Sequence, residues 1–230
     1  MSIGNIAVIP ARGGSQRIPR KNIKLLHGKP LIAYSIDTAI RTNLFDRIIV
    51  STDDPEIAAI ARDWGAETPF IRPADLADHF TGTTPVMRHA LRTLIAEGEK
   101  INKACLIYAT CPLLTCEDIV AGYKALEAKP LSFSATTYDF PIQRALSIEG
   151  GRLRPMYPEF IGSRSQDLEE AIHDAGQFYW GRIEEWLSNT NFFSELAKPI
   201  MLPRHRVQDL DTLEDWKRLV RMVSIVSTKN

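Results

Sequence analysis

The sequence lacks an excess of charge of either sign. Over 230 residues, 28 lysines and arginines are balanced by 28 aspartates and glutamates, which gives a formal net charge of zero. No overall electrostatic field therefore steers the protein toward nucleic acid or an anionic membrane surface. We expect neither nucleic acid nor a membrane among its partners.

Long apolar runs and paired cysteines are also missing. No apolar run approaches the ~20 residues that a helix needs to cross a bilayer, and residues 1–5 lack the basic start of a signal peptide. The three cysteines, Cys105, Cys111 and Cys116, show no Cys-x-x-Cys spacing and no matched histidine. These absences argue against a zinc site or a disulfide framework and favour a reduced, cytoplasmic setting.

Two familiar phosphate-binding motifs are absent as well. The sequence has no G-x-x-x-x-G-K-[ST] and no G-x-G-x-x-G, which disfavours a Walker ATPase and a dinucleotide-dependent dehydrogenase. In their place, residues 11–22 form a loop with the adjacent glycines Gly13 and Gly14 and with four cations, namely Arg12, Arg17, Arg20 and Lys21. Glycines let backbone N–H groups approach a phosphate closely, and fixed cations offset its charge, so the loop predicts a pocket for an anionic ligand. The alternative interpretation is a basic surface loop that binds no ligand.

Short apolar runs alternate with amphipathic helices over the first 137 residues. The predicted strands are Ile6–Ile9, Arg47–Ser51, Lys103–Tyr108 and Leu131–Thr137, and the predicted helices begin near Leu31, Pro55, Thr84 and Cys116. This order indicates an α/β fold with three layers, in which a mostly parallel sheet is covered by helices on both faces. Ligands of such sheets bind beyond the carboxyl ends of the strands, where the glycine loop begins.

The alternation stops between residues 139 and 167. Two short segments around Gly150 and Gly151 predict a β-hairpin, and no helix of ordinary length fits there. We therefore expect one domain made of residues 1–138 and 168–230, with residues 139–167 inserted as an arm of the kind that often carries oligomer contacts.

Asp209 and Asp211 form the second candidate site. Two carboxylates at positions i and i+2 project to the same side of an extended segment. Mg²⁺ usually takes one or two carboxylates together with phosphate oxygens and water, so the pair suits this ion. Asp211 followed by Glu214 also has the spacing of a helix cap, whereas capping does not account for Asp209.

Four segments of the sequence resemble the nonulosonic acid cytidylyltransferases, the CMP-sialic acid synthetase family. The four segments are Ala11–Ser15 together with Arg20–Asn22, Asp46–Asp53, Phe70–Ala77 and Asp209–Thr212. The matches are in order and run along nearly the whole chain. Within the family, His173–Gly181 and Tyr108–Pro112 are most similar to the pseudaminic acid branch.

The resemblance implies a Rossmann-like sheet of the nucleotide-diphospho-sugar transferase type and a homodimer formed through a β-hairpin dimerisation insertion. It implies transfer of CMP from CTP to the anomeric hydroxyl of pseudaminic acid, with Mg²⁺ held by Asp209 and Asp211. The implied catalytic residues are Arg12, Lys21, Asp209 and Asp211. The implied nucleotide-binding residues are Ala11, Arg12, Gly13, Gly14, Ser15, Lys21, Asn22, Arg72, Thr83, Thr84 and Tyr108. The implied sugar-binding residues are Arg164, Gln166, His173, Asp174 and Gln177.

One departure from the family concerns Tyr108–Leu114. Sialic acid enzymes commonly have Gln-Pro-Thr-Ser-Pro-Leu-Arg there, so base contacts from this loop do not transfer, and Tyr108 either contacts the ligand or is a core tyrosine. Sialic acid, legionaminic acid and Kdo remain alternative acceptors, and a non-catalytic nucleotide-binding regulatory protein remains an alternative outside enzymology. No histidine is assigned as the general base.

Overall fold

The computed structural model describes residues 4–188 and 190–227. Within these ranges six α-helices are present: α1 (Leu31–Arg41), α2 (Pro55–Asp63), α3 (Thr83–Ala96), α4 (Cys116–Ala125), α5 (Ile183–Leu187) and α6 (Leu213–Ser227). The strands of the same ranges are β1 (Gly4–Pro10), β2 (Leu25–Leu26), β3 (Lys29–Pro30), β4 (Arg47–Ser51), β5 (Ile101–Ile107), β6 (Leu131–Thr137), β7 (Leu146–Glu149), β8 (Arg152–Pro155), β9 (Ile172–Arg182) and β10 (Ala197–Met201).

A six-stranded sheet has the order β10-β6-β9-β5-β1-β4. The neighbours β1 and β4, β1 and β5, and β6 and β10 pair in parallel, whereas β9 is antiparallel to both β5 and β6. The prediction of a mostly parallel sheet is therefore confirmed. Because β9 runs in reverse, its first residues lie at the same edge as the carboxyl ends of the parallel strands.

Alternate strand residues face two separate apolar cores. In β1, Ala7 and Ile9 pack with α1, α2 and α4, whereas Ile6 and Val8 pack with α3 and α5 on the opposite face. The three-layer α/β/α arrangement is thus confirmed. Trp180 lies in the first of these cores, fully buried, and its indole N–H donates to the Ile119 carbonyl oxygen over 3.0 Å.

A third apolar cluster closes the carboxyl edge of the sheet. Leu219 and Val223 of α6 pack there against Ile18, which follows the glycine loop, and against Leu210. The cluster therefore joins the start of the chain to its last helix at the edge where ligands of such folds bind.

Local sequence signals account for several element ends. Asp54 accepts hydrogen bonds from the N–H groups of Glu56 and Ile57, which caps α2 as expected from Pro55 at its first position. Thr115 and Asp118 form a capping box at the start of α4.

Two small strand features were not predicted. The edge strand β10 contains Pro199. Proline argues against a strand in a sequence, but a sheet tolerates it at its edge. The β2–β3 hairpin turns at His27 and Gly28, whose φ angles are 48° and 78°.

The predicted hairpin of the arm is present. β7 and β8 pair antiparallel around Gly150 and Gly151, whose φ angles of 56° and 76° suit a tight two-residue turn. The limits of the arm at residues 139–167 remain a prediction. Residues 1–3, 189 and 228–230, which the prediction assigned to the main domain, lie outside the described residues.

Candidate functional site

Three cavities lie along the carboxyl edge of the sheet. The first, of about 430 Å³, is lined by residues of the glycine loop and of the 72–83 segment, among them Arg12, Ser15, Lys21, Asn22, Arg72, Thr83, Tyr108 and Asp211. The second, of about 740 Å³, is lined by Thr136, Tyr138, Arg144, His173, Asp174, Arg204 and Asp209 among others. The third, of about 310 Å³, is lined by Thr83, Thr84, Tyr108, Asp174, Tyr179, Phe192 and Phe193 among others.

Arg12 and Lys21 are the two cations of the glycine loop that the structure ties to the backbone around the first cavity. The Arg12 guanidinium donates to the Asp78 carbonyl oxygen, and the Lys21 ammonium donates to the Leu210 carbonyl oxygen over 2.5 Å. Burial lowers the pKa of Lys21, an effect that the nearby carboxylates of Asp209 and Asp211 oppose. Within the described residues, neither of these two cations forms an ion pair with a carboxylate, which leaves both suited to an incoming anion.

Arg17 and Arg20 are engaged differently. Arg20 has a left-handed backbone (φ 55°) and forms ion pairs with Asp54 and Glu56 at the start of α2. Hydrogen bonding to Asp54 raises the pKa of Arg20 and lowers the pKa of Asp54. Arg17 pairs with Asp211 at 2.6 Å, and both residues line the first cavity. Arg20 thus fixes the loop to α2.

The two glycines of the loop serve different purposes. A Cβ on Gly13 would lie 2.5 Å from Asp54 Oδ2, so the close approach of the loop to the α2 cap requires glycine there. A Cβ on Gly14 would meet nothing within 4 Å. The Gly13 N–H donates to Asp53 and the Ser15 N–H to the Gly13 carbonyl oxygen, both over 3.0 Å, so these two groups have partners within the protein.

Three buried residues support the floor of the first cavity. The N–H of Ala11 donates to the Ser51 carbonyl oxygen over 2.9 Å, which extends the β1–β4 pairing by one residue. Asn22 Nδ2 donates to the Arg12 carbonyl oxygen over 3.0 Å. Arg72, 4% exposed, donates to the hydroxyl and carbonyl oxygens of Ser51, and burial lowers its pKa to about 10.

The Asp209–Asp211 segment lies between the first two cavities. Leu210 is fully buried in the third apolar cluster, whereas Asp209 lines the second cavity and Asp211 the first. The Asp209 carboxylate accepts a hydrogen bond from the Leu210 N–H over 2.8 Å. Anchoring Leu210 in the core therefore leaves the carboxylates on either side of it directed at the cavities.

The alternative of a helix cap at Asp211 is wrong. Thr212 and Asp215 cap α6 instead: the Asp215 N–H donates to the Thr212 hydroxyl over 3.2 Å, and the Thr212 N–H donates to the Asp215 carboxylate over 2.7 Å. Asp215 also accepts from the Asp211 N–H. The Asp211 carboxylate is thus left for cationic partners.

The donor set of this segment is compatible with a hard divalent cation. Carboxylate oxygens on adjoining cavities suit Mg²⁺, which needs only one or two of them when phosphate oxygens and water complete its shell. Among residues 4–188 and 190–227, no group of three or more histidine, cysteine, aspartate or glutamate side chains is placed to hold a metal by itself. A metal here would depend on oxygens from a ligand.

A chain of polar contacts connects the first cavity to the other two. The Tyr108 hydroxyl interacts with Thr83 and Tyr179, and the Tyr179 hydroxyl donates to Asp174. Asp174 also accepts from the Gly176 N–H over 2.9 Å. Burial raises the pKa of both tyrosines. Tyr108 therefore lines the cavities rather than lying wholly in the core.

The structure brings only some of the implied sugar-binding residues to the cavities. His173 and Asp174 line the second cavity, at the start of β9. Gln177 is 4% exposed and its side-chain N–H donates to the Arg206 carbonyl oxygen over 2.8 Å. Arg164, whose side chain is 72% exposed, pairs with Asp167 at 2.7 Å in the arm, where Gln166 also lies. These last three residues line none of the three cavities.

The sequence reasoning missed two groups of cavity residues. His79 and Asp78 border the first cavity, and His79 contacts Gln16 of the glycine loop over 2.7 Å. Phe192 and Phe193 border the third cavity. The signal that could have identified the second group is the pair of adjacent phenylalanines in the loop after α5.

In the described part of the chain, no helix is long and apolar enough to cross a membrane.

Comparison with known proteins gives a consistent result. A family model described as cytidylyltransferase matches residues 6–143. The chain is similar to the pseudaminic acid cytidylyltransferase of Campylobacter jejuni, with 40% identity over 92% of each chain. It is also similar to the CMP-N,N'-diacetyllegionaminic acid synthase of Legionella pneumophila, with 30% identity over 96% of each. A CMP:2-keto-3-deoxy-manno-octonic acid synthetase solved with CTP has the same fold, with a TM-score of 0.68 and 15% identity over 96% of this chain and 98% of that one.

Proposed function

The chain belongs to the cytidylyltransferase family, and from this premise we propose that it transfers CMP from CTP to the anomeric hydroxyl of pseudaminic acid. Pyrophosphate is the second product. The observation that carries the proposal is the meeting of two cavities at the Asp209–Asp211 segment. Arg12, Arg17, Lys21 and Arg72 line the first, and Arg144, Arg204 and Arg218 line the second together with Asp174 and Asp209. A transfer between two substrates needs both of them at one point, because the reacting atoms must come within about 3–3.5 Å.

We assign the first cavity to CTP. Arg12 and Lys21 neutralise the triphosphate, with Gly14 and Ser15 beside it. Thr83, Thr84 and Tyr108 border the nucleoside, and Arg72 with Asn22 holds the floor of the cavity. The cations matter most for the departing pyrophosphate, on which negative charge increases during the reaction.

We assign the second and third cavities to the acceptor sugar. His173 and Asp174 offer polar contacts for its hydroxyl and amide groups, and the aromatic side chains of Phe192 and Phe193 suit an acyl substituent. The acceptor carboxylate needs a cation. Arg144, Arg204 and Arg218 line the second cavity, and Arg164 of the arm is proposed as a further contact, because a guanidinium binds a carboxylate with two parallel hydrogen bonds.

In the proposed reaction the anomeric hydroxyl loses its proton to solvent, and its oxygen forms a bond to the α-phosphorus of CTP. The bond from that phosphorus to the oxygen that bridges it to the β-phosphorus breaks, and the electron pair leaves with pyrophosphate. Lys21 and Arg12 stabilise this leaving group, and Tyr108, Tyr179 and Asp174 keep the two substrate sites in fixed relation. Mg²⁺, held by Asp209 and Asp211, supplies further neutralisation of phosphate charge when it is bound.

The test is release of pyrophosphate from CTP with four acceptors. We expect turnover with pseudaminic acid and much less with sialic acid, legionaminic acid and Kdo. Turnover with sialic acid and none with pseudaminic acid would contradict the proposed acceptor, and binding of CTP without turnover on any acceptor would favour a regulatory protein.

The matched variants are Asp209→Ala and Asp211→Ala, with Glu214→Ala as control. Glu214 is an exposed carboxylate in the first turn of α6 and lines none of the three cavities, so its loss leaves the carboxylates at the cavities in place. Loss of turnover is expected for the first two variants. Retention of wild-type turnover by both would contradict the assigned role of the pair.

We also propose that the protein is a cytoplasmic homodimer joined through the arm. Ile148 and Leu153, which pair on the arm's hairpin, are 75% and 66% exposed, and an unpaired apolar surface of this kind favours association. Sedimentation is expected to give a dimer at micromolar concentration, and a monomer throughout that range would contradict the proposal.

A further inference from the structure

Arg206 and Asp118 form a buried ion pair outside the three cavities. Their side chains are only 17% and 11% exposed. Arg206 donates to both carboxylate oxygens of Asp118, over 3.0 Å for Nη2, and also to the Leu113 carbonyl oxygen over 3.3 Å. Because desolvation offsets the attraction in such a pair, it adds little net stability over apolar packing. Stability alone therefore does not account for it.

The backbone of Arg206 is fixed as well as its side chain. Its carbonyl oxygen accepts the hydrogen bond from Gln177 Nε2, over 2.8 Å, and Gln177 lies on β9 inside the six-stranded sheet. The side chain reaches the first turn of α4 and the backbone is held by β9. One residue is therefore attached to two rigid elements.

This attachment lies immediately before the proposed metal carboxylates. Arg206 ends a short helical turn, and only Val207 and Gln208 separate it from Asp209. Beyond Asp209, Leu210 is anchored in the third apolar cluster. A segment held at both ends has little freedom, and functional groups must be kept within about 0.5 Å of their productive geometry to act well.

We propose that Arg206, with Asp118 and Gln177 as its partners, is a positioning residue that sets the Asp209 and Asp211 carboxylates for the divalent cation bound with CTP. The inference rests on the proposed function of the same site. Arg206 acts only through the segment that it holds and contacts neither substrate.

The variants are Arg206→Lys and Gln177→Met. Lysine keeps the positive charge but cannot donate two parallel hydrogen bonds to Asp118, and methionine keeps the volume of Gln177 but cannot donate to the Arg206 carbonyl oxygen. Each is expected to weaken binding of Mn²⁺ in the presence of CTP by about 10- to 100-fold, the usual effect of removing a group that orients a metal ligand. The readout is the free Mn²⁺ signal in electron paramagnetic resonance, with no acceptor sugar present.

Thr115→Ala is the matched control. Thr115 accepts from the Asp118 N–H and donates to its carboxylate, so its loss weakens the same helix cap but leaves the Asp118–Arg206 ion pair intact. Urea unfolding of all three variants separates lost stability from lost positioning. We expect Thr115→Ala to lower the urea midpoint and to bind Mn²⁺ with CTP as the wild type does.

Two outcomes overturn the inference: wild-type Mn²⁺ affinity in both Arg206→Lys and Gln177→Met, or an equal loss of affinity in Thr115→Ala. Failure of the proposed function is recognised separately, by a wild-type protein that shows no pyrophosphate release with any of the four acceptors. Mn²⁺ binding without such turnover still decides the role of Arg206, because it needs no reaction.

Discussion

Around the first cavity the charged groups have partners in the same chain, whereas along the arm apolar side chains face solvent. Arg12 and Lys21 donate to backbone carbonyl oxygens, and Arg17 pairs with Asp211. On the arm, Ile148 and Leu153 remain more than half exposed. The difference supports the proposals that a single chain builds the nucleotide half of the site and that the arm meets another molecule.

The acceptor half lies between these extremes. His173 and Asp174 reach the second cavity from β9, but Arg164 and Gln166 stay on the arm. The second cavity carries Arg144, Arg204 and Arg218 of its own chain, and Arg164 from a second copy of the arm is the proposed additional cation for the acceptor.

The largest effect is expected within the first cavity. Arg12→Met should lower kcat/KM by about 10²–10³-fold, because the protein loses a fixed positive charge that stabilises the transition state. Arg20→Met in the same loop should leave kcat/KM within a few-fold and lower stability by about 1 kcal/mol or less, since its ion pairs are partly exposed. Steady-state kinetics and urea unfolding measure both. Equal losses of kcat/KM would show that the loop, and not the position of each cation, decides the rate.

A smaller loss tests the arm. Arg164→Ala should raise KM for the acceptor by about 10- to 100-fold, the worth of a hydrogen bond to a charged group, and should leave KM for CTP unchanged. If the arm serves the partner's site, exchanging subunits between Arg164→Ala and Asp209→Ala proteins should restore about a quarter of wild-type activity, because half of the dimers are mixed and each has one intact site. If subunit exchange restores no activity, Arg164 serves the site of its own chain.

The two glycines of the loop should separate folding from binding. Gly13→Ala should cost about 1–3 kcal/mol of stability, because the added methyl group would overlap the Asp54 carboxylate. Gly14→Ala should change stability by no more than about 0.5 kcal/mol, since nothing lies within 4 Å of the added atom. Thermal unfolding without CTP measures the difference. A large loss in Gly14→Ala would contradict the open space assigned to the ligand.

The smallest expected effect is a change of stability at acidic pH. Hydrogen bonding to Arg20 lowers the pKa of Asp54 below its usual value near 3.9. The stability that this shift provides is complete above the unfolded-state pKa and is lost as pH falls below about 4, through the folded-state pKa. The difference in unfolding free energy between wild type and Arg20→Met should therefore shrink from pH 5 to pH 3. A difference that does not change with pH would contradict the ion pair.

Much of the fold was accessible from the sequence because its signals are local. The bounds of β4 and β6 agree with the pattern of apolar residues, and the α2 cap follows from Asp54 and Pro55. The reversed direction of β9 was not accessible, because strand direction depends on which neighbours a strand meets and not on its own residues. That reversal brings His173 and Asp174 to the edge of the sheet where β5 and β6 end.

The kind of chemistry follows from the amino-acid sequence, which has a glycine loop with cations near the start, a carboxylate pair near the end and a hairpin arm between them. The partner that each of these residues meets depends on the fold. Arg20 pairs with Asp54, Arg17 with Asp211 and Gln177 with the Arg206 backbone, although 34, 194 and 29 positions separate them. The physical reason is that hydrogen bonds and ion pairs depend on distance in space, and the order and direction of the strands set that distance.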